Sequence, residues 1–375
     1  LIPNSQSLIP EHMADIDRLF RKVKDDNASD LHLLEGLPPK YRIHGTLQAI
    51  KGESVLTEDS LKTLLTQICR PHQWKTYEDT GDLDFAYGLE GVARFRCNYL
   101  RQVHGRGAVF RQIPDKILTV DDLGLPESVA NLAHLRSGLV LVTGPTGSGK
   151  STTLAAIINL INRSYKKHVI TIEDPIEFVH ENEKSVITQR EVGQHSDSFA
   201  SALKAGVRED PDVILVGEMR DLETISLALT AAELGLLVFG TLHTNSASKT
   251  IDRVIDVFPA GRQPMIRTML AESIQAIVSQ LLLKKVGGGR VACHEVLIRK
   301  EGLSNMIREG AISKITSMIE IGRQDGMQLM DQGLMKLFKA GTITGEEAFM
   351  KAFNKKTFEQ FRETGVWKDE EDDEE

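Results

Sequence analysis

Residues 144 to 152 read Gly-Pro-Thr-Gly-Ser-Gly-Lys-Ser-Thr, a complete G-x-x-x-x-G-K-[ST] pattern. Glycines at 144, 147 and 149 let a loop turn sharply and aim its N–H groups inward at phosphate oxygens. A helix beginning at the end of the loop adds the partial positive charge of its N-terminus. In such a loop Lys150 reaches the β- and γ-phosphates and Ser151 ligates Mg²⁺. Gly144, Pro145, Thr146, Gly147, Ser148, Gly149, Lys150, Ser151 and Thr152 are therefore the candidate nucleotide-binding residues. Context supports the pattern: the apolar run 138–143 before it suits a buried strand, and Leu154-Ala155-Ala156-Ile157-Ile158 after it has helical character.

Three further groups could act on a bound phosphate. Val169-Ile170-Thr171-Ile172 runs into Glu173-Asp174-Pro175-Ile176-Glu177. Those carboxylates lie past the carboxyl end of an expected parallel strand, where open α/β sheets bind ligands. They could polarise water or hold Mg²⁺ through water, though turn and cap roles suit the same residues. Val213-Ile214-Leu215-Val216 ends in Gly217-Glu218, the pattern of a Walker B strand with glycine at the usual aspartate position. Glu218 is the one acid left there to hold Mg²⁺ through water or orient an attacking water; a surface ion pair is the plainer use. Leu237 to Leu242 ends at His243. A lone histidine is ordinarily structural, but this one falls at the same expected edge, where it could sense the phosphate.

A fourth group lies far upstream. Arg94 and Arg96 stand at i and i+2 of an expected strand and so share a face, with Phe95 opposite. Arg111 on the next strand could join them. Three such arginines could neutralise a phosphate as an arginine finger does, or simply line a solvated sheet face.

The elements that must position these groups fall into two patterns. Residues 13–112 read as a small α+β domain. It has helices over 13–24 and 57–70 and strands over 28–34, 41–45, 84–88, 92–99 and 107–113. Pro114 and Gly124 mark a linker over 113–125. Over 126–300 short apolar strands (139–143, 168–173, 213–217, 237–242) alternate with helices, which is α/β organisation with a largely parallel sheet. Beyond about 262 strand signals fade except near 291–298, and 301–368 reads as a helical C-terminal region. An acidic tail, 369–375, follows.

Composition sets the class. The chain has 375 residues, 41% hydrophobic and 26% charged, as soluble globular proteins do. The net charge of −8 is mostly the tail: residues 368–375 hold seven acids and one lysine, and removing that −6 from −8 leaves about −2. A nearly neutral body with 5% aromatics lacks the basic stripe of a nucleic-acid binder, so no nucleic-acid partner is expected. The apolar stretch 227–242 is too short to span a bilayer, and no secretory signal opens the chain as it stands. Cys69, Cys97 and Cys293 are few and scattered, which fits the reducing cytosol better than a disulfide framework.

Together these motifs resemble the type II/IV secretion ATPases, where they are known as Walker A, Asp box, Walker B and His box. The resemblance is closer to the type IV pilus retraction ATPases of that superfamily. It rests on Gly217-Glu218-Met219-Arg220-Asp221-Leu222-Glu223-Thr224-Ile225, Thr188-Gln189-Arg190-Glu191-Val192-Gly193, Ser29-Asp30-Leu31-His32-Leu33 and Gly91-Val92-Ala93-Arg94-Phe95-Arg96. It covers roughly residues 13–340. The resemblance implies an N-terminal PAS-like domain, a RecA-like ATPase domain and a homohexameric ring hydrolysing ATP with Mg²⁺. It implies catalytic roles for Glu177, Glu218, His243, Arg94, Arg96 and Arg111, and Mg²⁺ held by Ser151 and, through water, by Glu218. It implies an inner-membrane pilus platform protein as partner, and a location at the cytoplasmic face of that membrane. One departure stands out: the family's Ala-Ile-Arg-Asn-Leu-Ile-Arg-Glu motif reads Gly302-Leu303-Ser304-Asn305-Met306-Ile307-Arg308-Glu309 here, with Ser304 at the first arginine position.

Pilus extension and secretion ATPases are the nearest rivals. They carry an extra N-terminal domain and a four-cysteine zinc site, which three scattered cysteines cannot build. A second rival is an accessory subunit that binds nucleotide without hydrolysing it. Retention of Lys150, Glu177, Glu218 and His243 together argues against that.

Overall fold

The computed structural model describes residues 14–43, 45–113, 116–363 and 365–367. Met13, His44, Pro114 and the acidic tail, all used above, lie outside them. The chain divides into two compact units, one ending at Lys116 and the other beginning at Ile117.

The first unit is a six-stranded antiparallel sheet backed by helices. Helix α1 (Asp15–Asp25) buries Ile16, Leu19, Phe20 and Val23, one face at helical spacing. Strands β1 (Asp30–Leu34), β2 (Lys40–Ile43) and β3 (Thr46–Ala49) follow as a meander. Next come α2 (Glu58–Thr66) and α3 (Pro71–Thr80), then β4 (Asp82–Leu89), β5 (Ala93–Gln102) and β6 (Gly105–Ile113). The sheet order is β3-β2-β1-β6-β5-β4. The single helix expected over 57–70 is two. Pro71 disfavours a helical residue before it, and Arg70 is accordingly extended at φ −75°, ψ 155°. Pro71 then occupies the first helical position, where its missing N–H costs nothing. Alternation along β5 buries Phe95, Cys97 and Tyr99 against α1 and the aromatic core.

The second unit is a seven-stranded sheet. It comprises β7 (Gly138–Thr143), β8 (His168–Glu173), β9 (Val186–Glu191), β10 (Val213–Val216), β11 (Leu237–Leu242), β12 (Ile274–Lys284) and β13 (Arg290–Ile298), preceded by the short helix α4 (Glu127–Ala130). The order is β13-β12-β7-β11-β10-β8-β9. All neighbours are parallel except the β12–β13 hairpin. Helices α5 (Lys150–Ser164), α6 (Phe199–Gly206), α7 (Leu222–Glu233), α8 (Ala247–Asp256) and α9 (Gln263–Ser273) cover both faces. Alternate residues of the same strands therefore feed two cores. Leu139, Leu141, Ile214 and Val216 face one, and Val140, Val142, Val213 and Leu215 face the other. This double burial is why β7, β10 and β11 are buried throughout and largely apolar. A run of short helices follows from Leu303 to Phe358. Among the described residues no helix is long and apolar enough to cross a membrane.

Strands 139–143, 168–173 and 237–242 stand where their apolar runs predict them. Three strands carry no such signal: β3, β9 and β12. The 11-residue β12 begins directly after α9 with no turn residue between them, and its Leu281-Leu282-Leu283 end favours helix in isolation. β9, with Thr, Gln, Arg and Glu, lies at the sheet edge and carries little apolar signal.

Candidate active site

The Gly-rich loop leaves β7 and enters α5. Gly144, Gly147 and Gly149 have φ of 143°, 77° and 89°, a region that L side chains rarely adopt. Space constrains two of them further. A Cβ at Gly144 would lie 2.3 Å from the Gln280 carbonyl oxygen, and one at Gly149 2.8 Å from the Gln280 amide nitrogen. Gly147 faces open space. The Lys150 ammonium donates to the carbonyls of Gly144 at 2.8 Å and Pro145 at 3.2 Å, so the cation folds across the loop. Burial lowers its pKa, and the carboxylates of Glu218 and Glu177 oppose that shift. Ser148 Oγ is buried with no hydrogen-bond partner in the structure, a spare polar group in the loop itself.

Glu218 follows β10. One of its oxygens faces His243 Nε2 at 2.8 Å and also pairs with Arg220. Burial pushes its pKa up, but the Arg220 and His243 contacts outweigh that and hold it below the ordinary carboxylate value. The carboxylate is thus ionised and an acceptor, and His243 Nε2 donates to it. The backbone aids the alignment: Met219 N–H donates to the Thr241 carbonyl at 3.0 Å, and the Thr241 hydroxyl donates to the Gly217 carbonyl.

The segment after β8 is held by β9. Gln189 donates to the Phe178 carbonyl at 2.8 Å and to Glu173 at 3.3 Å, and accepts from the His180 N–H at 2.8 Å. Ile176 N–H donates to Glu191 at 3.1 Å. The segment holding Glu177 is therefore braced from the neighbouring strand. Glu173 is different in kind. Burial pushes its carboxyl up to about 7, against bonds from the Thr171 hydroxyl and Gln189. It lines a cavity of about 30 Å³ with Ser151, Phe178, His180, Gly217 and Thr241, room for a water molecule.

Lys150, Glu177, Glu218 and His243 thus share the carboxyl edge of the parallel sheet, with Ser151 at the start of α5. Arg94, Arg96 and Arg111 belong to the first unit. Arg94 and Arg96 share a face opposite buried Phe95, and Arg96 pairs across the sheet with Arg111. Each of the latter two holds a carboxylate of its own: Arg96 bonds Asp84 at 2.6 Å and Arg111 bonds Asp30 at 2.9 Å.

The sequence reading had assigned no role to Arg220, Gln280 or His294. Arg220 lies two residues from Glu218, inside a quoted motif. The other two depend on β12 and its partner.

Similar known proteins put the site in context. The family described as "Type II/IV secretion system protein" matches residues 11–366. The Pseudomonas aeruginosa "Type IV pilus retractation ATPase PilT" is 51% identical over 338 residues, spanning 90% of this chain and 98% of that protein. A Neisseria gonorrhoeae "Twitching motility protein" is 52% identical over 317 residues, 84% of each chain. A crystal structure of the pilus retraction motor PilT with bound ADP matches at a TM-score of 0.85 and 44% identity, over 93% of this chain and all of that one.

Proposed function

This chain belongs to the type II/IV secretion system protein family, and from that premise we propose that it is a motor ATPase coupling ATP hydrolysis to type IV pilus retraction. The observation that supports the reading most strongly is the meeting of Lys150, Glu177 and Glu218 beside the Gly-rich loop: one cation and two carboxylates that interact through space. Glycines at positive φ, a buried hydroxyl without a partner and a lysine resting on loop carbonyls suit a loop built for phosphate. Residues 144–152 hold the nucleotide, and Lys150 moves from the loop carbonyls to its β- and γ-phosphates. Ser151 and, through water, Glu218 would hold Mg²⁺, which would neutralise phosphate charge there. Glu177 and Glu218 orient the attacking water. His243 reports the state of the phosphate to Glu218 through their shared hydrogen bond.

The motor works as a homohexamer. Its first unit, PAS-like in architecture, carries Arg94, Arg96 and Arg111 to the phosphates during the cycle. Each hydrolysis event changes the arrangement of domains and passes force to a platform protein in the inner membrane, at whose cytoplasmic face the ring sits.

ATP turnover by the purified chain with and without Mg²⁺ tests the enzyme, and a deletion strain tests the direction of force. Mg²⁺-dependent hydrolysis with hyperpiliated, non-twitching cells is expected. Nucleotide binding without turnover would point to an accessory subunit, and bald cells to an extension motor.

A further inference from the structure

Gln280 is buried in β12, abreast of the phosphate loop. β12 runs parallel to β7, with Ser279 registered against Thr143, so the next residue reaches the loop's first glycine. The Gln280 side chain bridges the loop and the helix it feeds. Its nitrogen donates to the Ser148 carbonyl at 2.7 Å, and its oxygen accepts from the Thr153 hydroxyl of α5 at 2.8 Å.

Chemistry fixes which way the amide faces. A carbonyl oxygen can only accept, so the group against Ser148 O must be the NH₂. The Gln280 oxygen then faces Thr153 and, at 3.1 Å, His294 Nε2 on the paired strand β13. Burial pushes His294 down to about 4, so near neutral pH the ring is uncharged and carries a single N–H. With an oxygen facing it, Nε2 is the protonated nitrogen. It completes the set: Gln280 uses both ends of its amide, and neither can rotate without opposing like groups. Gln328 extends the brace by donating to the His294 carbonyl at 2.7 Å.

Resting on the nucleotide-site reading above, we infer that Gln280, held by the Ser148 carbonyl, the Thr153 hydroxyl and His294, is a positioning residue that sets the phosphate loop in its binding shape. The peptide plane supplies the reason. In a trans peptide the carbonyl and the next N–H point to opposite sides. Tying the Ser148 carbonyl to Gln280 therefore turns the Gly149 N–H away from the sheet strand and frees it for a ligand. The bond to Thr153 holds the first turn of α5 in the same frame, so loop and helix N-terminus present their N–H groups together. Preorganised donors bind better than donors that must be ordered at the moment of binding.

The test is ADP affinity of the full-length chain, measured with a fluorescent ADP analogue and competition by ADP, beside the melting temperature without nucleotide. Gln280→Met keeps the volume and removes both hydrogen-bonding ends. Affinity should fall about tenfold, as loss of a buried hydrogen bond and its geometry would give. His294→Phe leaves Gln280 in place but removes one of the two donors to its oxygen, loosening the amide, and should cost about threefold. Joined to Gln280→Met it should cost nothing further, because the two act through one amide. A merely structural role would lower the melting temperature of both variants and leave ADP affinity within twofold of wild type, and that result overturns the inference. If Gln280→Met does not fold, His294→Phe decides alone: unchanged affinity overturns the inference. Wild-type protein that binds no ADP would overturn the nucleotide reading itself, and this inference with it; wild-type binding with unaltered variants overturns this inference only.

Discussion

Glu218 and His243 face each other at 2.8 Å across the ends of β10 and β11, strands that pair in parallel register. Glu218 also holds Arg220. It is thus an ionised acceptor with two donors, close enough to act on Lys150 through space. A carboxylate held this way keeps its charge near the phosphate site, and its remaining lone pairs are available to water or a hydrated metal.

Lys150→Ala should nearly abolish ATP turnover, because the loop loses its one lysine and with it the cation aimed at the β- and γ-phosphates. Less than a tenth of the wild-type rate is expected, a barrier rise of at least about 1.4 kcal/mol. A variant that keeps more than that would show the loop does not work as a phosphate clamp.

Glu218→Gln and Glu177→Gln should separate chemistry from binding. If these carboxylates orient water and metal, neutralising either slows hydrolysis by about 10²-fold or more. Nucleotide affinity should change by only a few-fold. Measuring both on the same preparation distinguishes this from a structural role, in which turnover and affinity fall together.

The legible parts of this site are those whose chemistry is local. The Gly-rich loop declares itself by spacing, and β8, β10 and β11 by apolar runs that stop at Glu173, Glu218 and His243. Gln280 and His294 were illegible for the opposite reason. Nothing near either residue in the chain marks it. They matter because β12 pairs with β7 in a register that brings Gln280 beside Gly144, and because β13 folds back on β12. The strand that carries Gln280 was itself hidden by its leucines and by the lack of a turn after α9. Gln189 shows the same limit at the other edge, where a polar edge strand reads as a loop. The side chains proposed for the chemistry are marked by local sequence, while those that brace them are set by pairing across the sheet.

The half-buried Glu173 carboxyl predicts a pH signature in stability. Its folded pKa, about 7, lies above the ordinary 4.5. A group raised in this way stabilises the fold fully below 4.5, and the contribution is lost as pH rises through 7. His180 and His294, both pushed down to about 4 by burial, act in the opposite sense: their contribution is present above 6.5 and lost as pH falls through 4. The wild-type profile mixes the two, so the informative quantity is a difference. Glu173→Gln keeps the acceptor for Thr171 and Gln189 but cannot ionise. It should match wild type near pH 4 and exceed it above pH 7 by about 1–3 kcal/mol. Melting curves without nucleotide across that range check this, and a difference that stays constant with pH would show that Glu173 does not titrate there.

Arg96→Ala tests whether hydrolysis needs an assembled ring. Arg96 is partly exposed and engaged with Asp84, a pair of the kind worth about 0.2–1 kcal/mol, so releasing it toward a phosphate is cheap. Arg111 differs: it is 71% exposed, but its partner Asp30 is only 7% exposed, so releasing that carboxylate costs more. Removing Arg96 should therefore leave the fold, melting temperature and hexamer nearly intact. Turnover should still fall steeply, by about 10³-fold if it acts as an arginine finger and less if Arg94 and Arg111 share the work. Wild-type specific activity should rise with protein concentration as rings assemble and then level off. Turnover and light scattering on the same dilution series would read both effects. A monomer with full, concentration-independent activity would refute the ring requirement. An Arg96→Ala ring hydrolysing at the wild-type rate would remove Arg96 from the reaction.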